Sequence, residues 1–170
     1  VSRAADLINR LYWVEDLPEP LELVDAYLER HPEAQDMQFL RARQLYRRDQ
    51  LDAAAENAEA VITADLVPVS FLSQLQFELK RRASAMLVDI AHLRWYRADD
   101  ADKPALLART REARDRLAEL STDIENDPLI IESDGKITFA EGDFARAVNY
   151  FERLVRESDQ VDYEVLTHPA

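Results

Sequence analysis

The sequence predicts an all-α fold, and three observations support this prediction. Only two of the 170 residues are glycine, and the helix-favouring residues alanine, leucine, glutamate and arginine are abundant. Apolar residues make up 47% of the chain and recur at helical spacing. The nearest strand-like run, Leu129-Ile130-Ile131, is too short to outweigh its helical surroundings. Because a chain of this length can bury a core, we predict a single helical domain.

Prolines divide the chain into about eight predicted helices. Proline is favoured in the first turn of a helix and breaks helix interiors, so the segments between prolines read as separate helices. Paired in order, they predict four hairpins, over residues 4–31, 34–64, 69–124 and 128–157. Residues 158–170 are predicted to form a tail or the start of a further helix.

The first hairpin, residues 4–31, has the length of two helices but little internal pattern. Its first segment ends at Val14, and its second follows Pro20 and stops at His31-Pro32. The prediction of this hairpin therefore depends on its length and on its prolines.

The second hairpin, residues 34–64, shows an ordered pattern of residue sizes. Ala42 and Leu45 precede the Asp49-Gln50 junction, and Leu51, Ala54 and Ala58 follow it. Small residues let two helices approach closely, and large ones fill the space beside them. The junction is therefore predicted to be the turn of the hairpin.

The third hairpin, residues 69–124, is enlarged. Its predicted helices, residues 69–97 and 104–124, flank an Asp99-Asp100-Ala101-Asp102 turn. At 1.5 Å per residue, helices of this length span about 30–45 Å. We predict that they project beyond the shorter hairpins as a ridge.

The fourth hairpin, residues 128–157, has a well-defined turn. Gly142 can adopt the left-handed conformation that ends one helix, and Asp143 can cap the next. Gly135 is predicted to lie where the paired helices touch. After the cap, six apolar residues fall on one helical face: Phe144, Ala147, Val148, Phe151, Leu154 and Val155.

Residues 41–58 and 141–157 resemble the tetratricopeptide repeat (TPR), a pair of antiparallel helices that recurs about every 34 residues. The resemblance implies an antiparallel helical-hairpin solenoid, a TPR-like superhelix, with the first hairpin as a capping repeat. The equivalent turn residues Asp49 and Gly142 are 93 residues apart. Two plain repeats need about 68 residues and three about 102. We therefore predict one enlarged central hairpin.

The composition narrows the range of partners. The chain has 34 Asp and Glu against 21 Lys and Arg, a net charge of −13. An acidic surface repels nucleic acid and anionic lipid, and no apolar run reaches the length of a membrane span, so we expect neither nucleic-acid binding nor direct membrane insertion. The absence of cysteine excludes disulfides and leaves a cytoplasmic or a periplasmic location open.

The sequence contains no motif typical of catalysis. His31, His92 and His168 are far apart, and two glycines cannot build a phosphate-binding loop. The acidic clusters lack the ligand spacing of a calcium loop. We therefore predict no catalytic residue, no metal and no cofactor, and we interpret His92 as a buried, hydrogen-bonded structural residue.

The resemblance to TPR proteins directs attention to a concave groove lined by the first helix of each hairpin. Arg43, Tyr46 and Arg47 are predicted to face this groove, with Lys136 and Phe139 at the equivalent position of the last hairpin. Surface ion pairs of Arg43 and Arg47 with nearby acidic residues are the alternative. A second predicted surface is the ridge around Trp95 and Tyr96, whose alternative role is core filling.

We predict a non-catalytic protein-binding scaffold or adaptor that holds a peptide or a helix of a partner protein in the groove. By analogy with bacterial TPR proteins, the setting would be an envelope or export assembly. Two alternatives stay open. The chain could be a self-associating structural module, forming a homodimer. It could also be a regulatory segment of a larger protein, such as an enzyme, that extends past Ala170 or before Val1.

Overall fold

The computed structural model describes residues 19–65 and 70–167, and this part of the chain is entirely helical. It contains seven helices and no strand, which confirms the all-α prediction for these residues. The predicted helix at residues 4–14 lies outside them. The helices are α1 (Glu19–Leu28), α2 (Gln35–Arg47), α3 (Leu51–Thr63), α4 (Ser70–Arg97), α5 (Lys103–Glu119), α6 (Pro128–Ala140) and α7 (Phe144–Thr167).

Two predicted helix ends were wrong. Helix α5 ends at Glu119 instead of Ile124, because the chain leaves the helix at Leu120. A separate turn follows, in which the amide of Asn126 donates a hydrogen bond to Oδ1 of Asp123. Ile124 is consequently 49% exposed and not part of an apolar helix face. Helix α7 continues unbroken to Thr167, so residues 158–167 extend this helix and form neither a separate tail nor a new helix.

The turns of the second and fourth hairpins have the same backbone geometry. Asp49 and Gly142 both have positive φ angles, 62° and 85°. The amide of the next residue reaches back to close each helix: Gln50 donates to the carbonyl of Leu45 at 2.9 Å, and Asp143 donates to that of Thr138 at 3.2 Å. Both turns are therefore Schellman motifs, in which the left-handed residue lets the chain reverse.

Asp143 also caps the helix that follows, as predicted. Its Oδ1 accepts a hydrogen bond from the amide of Arg146 at 3.1 Å. Asp127 has the same role at α6, accepting from the amide of Leu129 at 3.0 Å, and Pro128 is the first residue of that helix. These carboxylates satisfy amide groups that have no partner within the helix.

The chain divides into two compact units, Val1–Ile90 and Ala91–Ala170, and the boundary falls within α4. In the first unit, α2 packs on α3, and α1 packs on α2. The main core joins residues of α2, α3 and α4: Phe39, Ala42, Leu45, Ala54, Ala58, Val61, Ala83, Met86 and Ile90. Arg41 of α2 is also hydrogen-bonded to Asp25 of α1 at 2.6 Å. The prediction of a single domain stays a prediction.

In the second unit, α6 packs on both α5 and α7. The interior contains Leu117 of α5, Ile130 and Ile131 of α6, and Ala147 of α7. Among residues 19–65 and 70–167, no helix combines the length and the apolar composition that a membrane span requires.

Candidate functional site

Helix α7 exposes four large apolar side chains along one face. Phe144 is 59% exposed, Val148 52%, Phe151 38% and Val155 59%. Their spacing of four, three and four residues keeps them in one line along a helix of 3.6 residues per turn. We refer to Phe144, Val148, Phe151 and Val155 as the α7 stripe.

The apolar face predicted from the sequence is therefore divided between the interior and the surface. Ala147 is buried at 2% exposure, and Leu154 is half-buried. The four residues of the α7 stripe lie beside them and are open to solvent. Large apolar side chains in a contiguous exposed patch mark interaction surfaces more often than single exposed residues do.

One edge of the α7 stripe lies on helix α6. The ring of Phe151 covers Gly135, where an added Cβ would be 3.0 Å from two ring carbons. The ring of Phe144 contacts Phe139 edge-on, with 5.3 Å between centroids. The glycine and the two ring contacts therefore fix the position of the stripe relative to α6.

The stripe continues into a group of rings at the end of α4. Trp95 meets Phe139 edge-on at 6.3 Å, and His92 stacks on Trp95 at 5.5 Å between centroids. His92 also meets Phe139 edge-on, at 6.3 Å. We refer to His92, Trp95, Phe139 and Phe144 as the aromatic cluster, and Phe144 belongs to both the cluster and the stripe. Edge-on contacts of this kind favour a fixed arrangement of the rings.

Two lysines border the aromatic cluster. The ammonium group of Lys103 lies 5.7 Å from the centre of the Trp95 ring, within the range of a cation–π interaction. Lys136 is paired with Glu132 at 2.5 Å. Lys103 is itself paired with Asp100 at 2.7 Å, so both lysines beside the rings have a carboxylate partner.

The surroundings of His92 within this cluster disfavour its protonated form. Burial is the main cause that lowers the pKa of His92, and the positive charge of Lys136 lowers it further. Its Nδ1 atom is buried and has no hydrogen-bond partner in the structure. The ring is thus held by aromatic contacts, and the predicted hydrogen bond is not observed at Nδ1.

The structure brings together three of the binding residues predicted from the sequence. Trp95 and Phe139 are in direct ring contact, and Lys136 is close enough to His92 to affect its pKa. Tyr96, the neighbour of Trp95, is 67% exposed.

The other three predicted residues lie on α2 in the first unit. Tyr46 is partly buried and packs against the main core. Arg43 is half-buried, and Arg47 is exposed in the last turn of the helix. The structure therefore places Tyr46 as a packing residue at the edge of the core.

The α7 stripe was not predicted from the sequence to be a surface. Apolar spacing shows which residues share a helix face and not what covers that face, so Phe144, Val148, Phe151 and Val155 were predicted only to lie together on one side of the helix. The four-three-four spacing was the available signal, since it is typical of helices that pair with other helices.

Metal binding finds no support in the described parts of the chain, where no group of three or more histidine, aspartate or glutamate side chains could hold an ion. Comparison with protein-family models, with curated proteins and with solved structures found no match to this chain.

Proposed function

We propose that the chain is a non-catalytic protein-binding module, a scaffold or adaptor, and that its contact surface is the α7 stripe with the adjoining aromatic cluster. The observation that supports this proposal is the continuity of the exposed apolar surface. Four exposed apolar side chains follow one another along α7, and the first of them, Phe144, also belongs to the cluster through its contact with Phe139.

The composition of this surface suits protein recognition. Phenylalanine and tryptophan are enriched at the centres of interfaces, where their large rigid surfaces bury much area at little cost in conformational entropy. The α7 stripe and the cluster together contain four such residues: Trp95, Phe139, Phe144 and Phe151. A partner helix with an apolar face would cover the stripe and exclude water from it.

We also propose that the hairpins belong to a TPR-like solenoid with an enlarged central hairpin. Three features support this arrangement: the matching Schellman turns at Asp49 and Gly142, the 13-residue helices that flank the first of these turns, and the small residues at helix contacts. Ala42, Ala54 and Ala58 are fully buried in one hairpin, and Gly135 touches Phe151 in the other. Participation in a bacterial envelope or export assembly rests on the TPR resemblance alone.

A capture experiment with adjacent substitutions tests the proposed surface. Val148 and Asn149 are neighbours on α7, and both are exposed, but only Val148 belongs to the stripe. Lysine favours helices, so neither Val148→Lys nor Asn149→Lys should change the helical content seen by circular dichroism. We expect Val148→Lys to lose proteins that the immobilised wild-type chain retains from a lysate of its source cells, and Asn149→Lys to keep them.

The same experiment distinguishes the two surfaces predicted for the module. A double variant, Arg43→Glu with Arg47→Glu, tests the groove on α2 predicted from the sequence. If the double variant no longer retains the partner proteins and Val148→Lys still retains them, the contact surface is on α2 and the proposed site on α7 is wrong.

A further inference from the structure

We propose that the α7 stripe binds a helix of another protein, and that the bound face of this helix is apolar along most of its length and basic at one end. This inference rests on the proposed function and specifies the chemistry of the partner. It follows from the residues that lie on the line of the stripe beyond Val155, where α7 continues to Thr167.

The line of the stripe passes from apolar to acidic residues. The helix turns about 100° per residue, so Asp162 falls on this line and Asp159 within about 50° of it. Residues 157–167 include four acidic residues and no lysine or arginine. A partner helix that lies along α7 therefore meets the apolar side chains of the stripe at one end and two aspartate positions at the other.

The charged residues beside the apolar part of the stripe cancel in pairs. On α7, Arg156 is paired with Glu152 at 3.1 Å. On α6, Lys136, the neighbour of Gly135, is paired with Glu132 at 2.5 Å. These pairs have no net charge, so they do not distinguish an acidic partner from a basic one. The two aspartate positions beyond the stripe do distinguish them.

The acidic residues at the opposite end, before Phe144, interact within the chain. Asp143 caps α7 by accepting from the amide of Arg146, and the partial positive charge of the helix N-terminus offsets its carboxylate. Glu141 is paired with Arg111 of α5 at 2.7 Å. The acidic character that a partner meets is therefore concentrated at the end of the stripe that follows Val155.

The cost of removing a carboxylate from water explains why the partner is basic at this end. A wholly apolar helix would cover position 162 and separate the carboxylate of Asp162 from water without replacing its hydrogen bonds. An acidic helix would bring like charges together. A lysine or arginine at the facing position neutralises the carboxylate, while its long stem covers apolar surface and its charged end stays in water. The stripe thus selects an apolar helix face that ends in lysine or arginine.

Synthetic helical peptides test this chemistry against the complete 170-residue chain. Each peptide has four leucines at the spacing of the stripe, followed on the same face by two lysines, and a reversed version covers the opposite helix direction. In the matched control peptides, glutamates replace the two lysines. In fluorescence anisotropy at low salt, we expect one lysine peptide to bind at least about tenfold more tightly than its glutamate control. Added salt should reduce this ratio, because it screens the charges.

Two double variants of the chain test where the basic end of the peptide binds. In Asp159→Asn with Asp162→Asn, the lysine peptide should lose most of its advantage over the glutamate control. Glu157→Gln with Glu164→Gln changes the net charge equally, but these positions lie about 150–170° round the helix from the stripe. We expect this matched variant to keep the advantage, since its substitutions do not face the partner.

A second pair of variants tests the apolar part of the contact. Val148→Lys should weaken binding of the lysine peptide at least about tenfold, because it places a charge in the middle of the stripe. Asn149→Lys adds the same charge beside the stripe and should bind the peptide as the wild type does, which separates loss of apolar contact from repulsion between lysines.

Three outcomes overturn the basic partner: equal binding of the lysine and glutamate peptides, no binding of any peptide, or a preference for lysine that the two double variants reduce equally. Self-association of the chain through the stripe, with which neither lysine peptide competes, would show that a second copy is the occupant and would also overturn it. In each case the proposed function stands if Val148→Lys still abolishes capture from the lysate, and capture alone does not support a basic partner. If Val148→Lys changes neither capture nor peptide binding, both proposals fail.

Discussion

The ring of Phe151 lies on the backbone of Gly135, so closely that a Cβ atom at Gly135 would be 3.0 Å from two of the ring carbons. It would also be 3.2 Å from the Cβ of Tyr150. Helices α6 and α7 can approach to this distance because position 135 has no side chain. The contact confirms the sequence prediction that Gly135 lies where the two helices touch.

Substitution of Gly135 should show how tightly this contact is packed. Alanine favours the helical conformation over glycine by about 1 kcal/mol, but its methyl group must displace the Phe151 ring by a few tenths of an ångström. We expect these effects largely to cancel in Gly135→Ala. Gly135→Leu should lower the free energy of unfolding by about 1–3 kcal/mol, since overpacking forces the helices apart. Urea denaturation measures both changes, and a Gly135→Leu chain as stable as the wild type would disprove the tight contact.

The left-handed turn at Gly142 leads to a prediction about backbone strain. A Cβ atom at Gly142 would meet nothing within 4 Å, so any cost of a side chain there comes from its φ angle of 85°. We expect Gly142→Ala to lose about 1–2 kcal/mol of stability. Gly142→Asp should lose less, because aspartate tolerates this conformation, as Asp49 does in the equivalent turn at φ 62°. Thermal unfolding of the two variants provides the comparison, and equal losses would contradict this explanation.

Arg114 joins α5 to α6 through a two-pronged ion pair with Asp134. Its Nε lies 2.7 Å from Oδ1 and its Nη2 lies 3.0 Å from Oδ2. The hydrogen bond with Asp134 is the main cause that raises the pKa of Arg114 above its ordinary value. Because lysine cannot make the paired geometry, we expect Arg114→Lys to lose about 1–2 kcal/mol of unfolding free energy.

The pair of Arg111 with Glu141 is the matched control for that experiment. It is also short, at 2.7 Å, but its side chains are more exposed, at 51% and 39% compared with 22% and 27% for Arg114 and Asp134. Solvent screens exposed pairs, so Arg111→Lys should change the stability by less than about 0.5 kcal/mol. If Arg114→Lys and Arg111→Lys lost similar amounts of unfolding free energy, burial would not determine how much each ion pair contributes to stability.

His92 should make the stability of the second unit depend on pH. Burial and the charge of Lys136 lower the pKa of His92 from 6.5 in the folded chain, so the unfolded chain binds this proton more readily. Above pH 6.5, protonation of His92 therefore takes nothing from the free energy of unfolding. As the pH falls from 6.5 towards the lowered pKa, the unfolded chain takes up the proton first and the free energy of unfolding decreases. We expect His92→Phe, which cannot take up a proton, to lose less stability than the wild type over this interval.

Titration of His92 by NMR measures the shift directly. In Lys136→Met the neighbouring positive charge is absent, so the pKa of His92 should rise part of the way back towards 6.5, with the shift from burial remaining. An unchanged pKa in this variant would show that Lys136 does not act on His92.

The sequence was sufficient for the features that depend on neighbouring residues. Helix α3 begins at Leu51, directly after the predicted turn, and ends at Thr63, one residue before the predicted end of the second hairpin, because apolar spacing and turn residues act locally. The turns at Asp49 and Gly142 were predicted for the same reason, since a junction between two helical apolar patterns is visible in a few letters. The end of α5 was missed, because Ile124 continued the apolar pattern although the chain had already turned at Leu120.

The candidate site depended on contacts between distant parts of the chain. The spacing of Phe144, Val148, Phe151 and Val155 was evident in the sequence, but their exposure was not. Trp95 and Phe139 are 44 positions apart, and only the packing of their helices brings the two rings into contact.

By itself, therefore, the sequence determined the helical class, the acidic surface and the hairpin turns, because propensity, charge and backbone conformation are local properties. The tertiary structure decided which residues of the α7 apolar face are buried. Gly135 lets α7 pack closely on α6, and Ala147 is buried while Phe144, Val148 and Val155 stay more than half exposed. The fit between the surfaces of α6 and α7 determines which side chains are buried, so the sequence of either helix alone does not specify it.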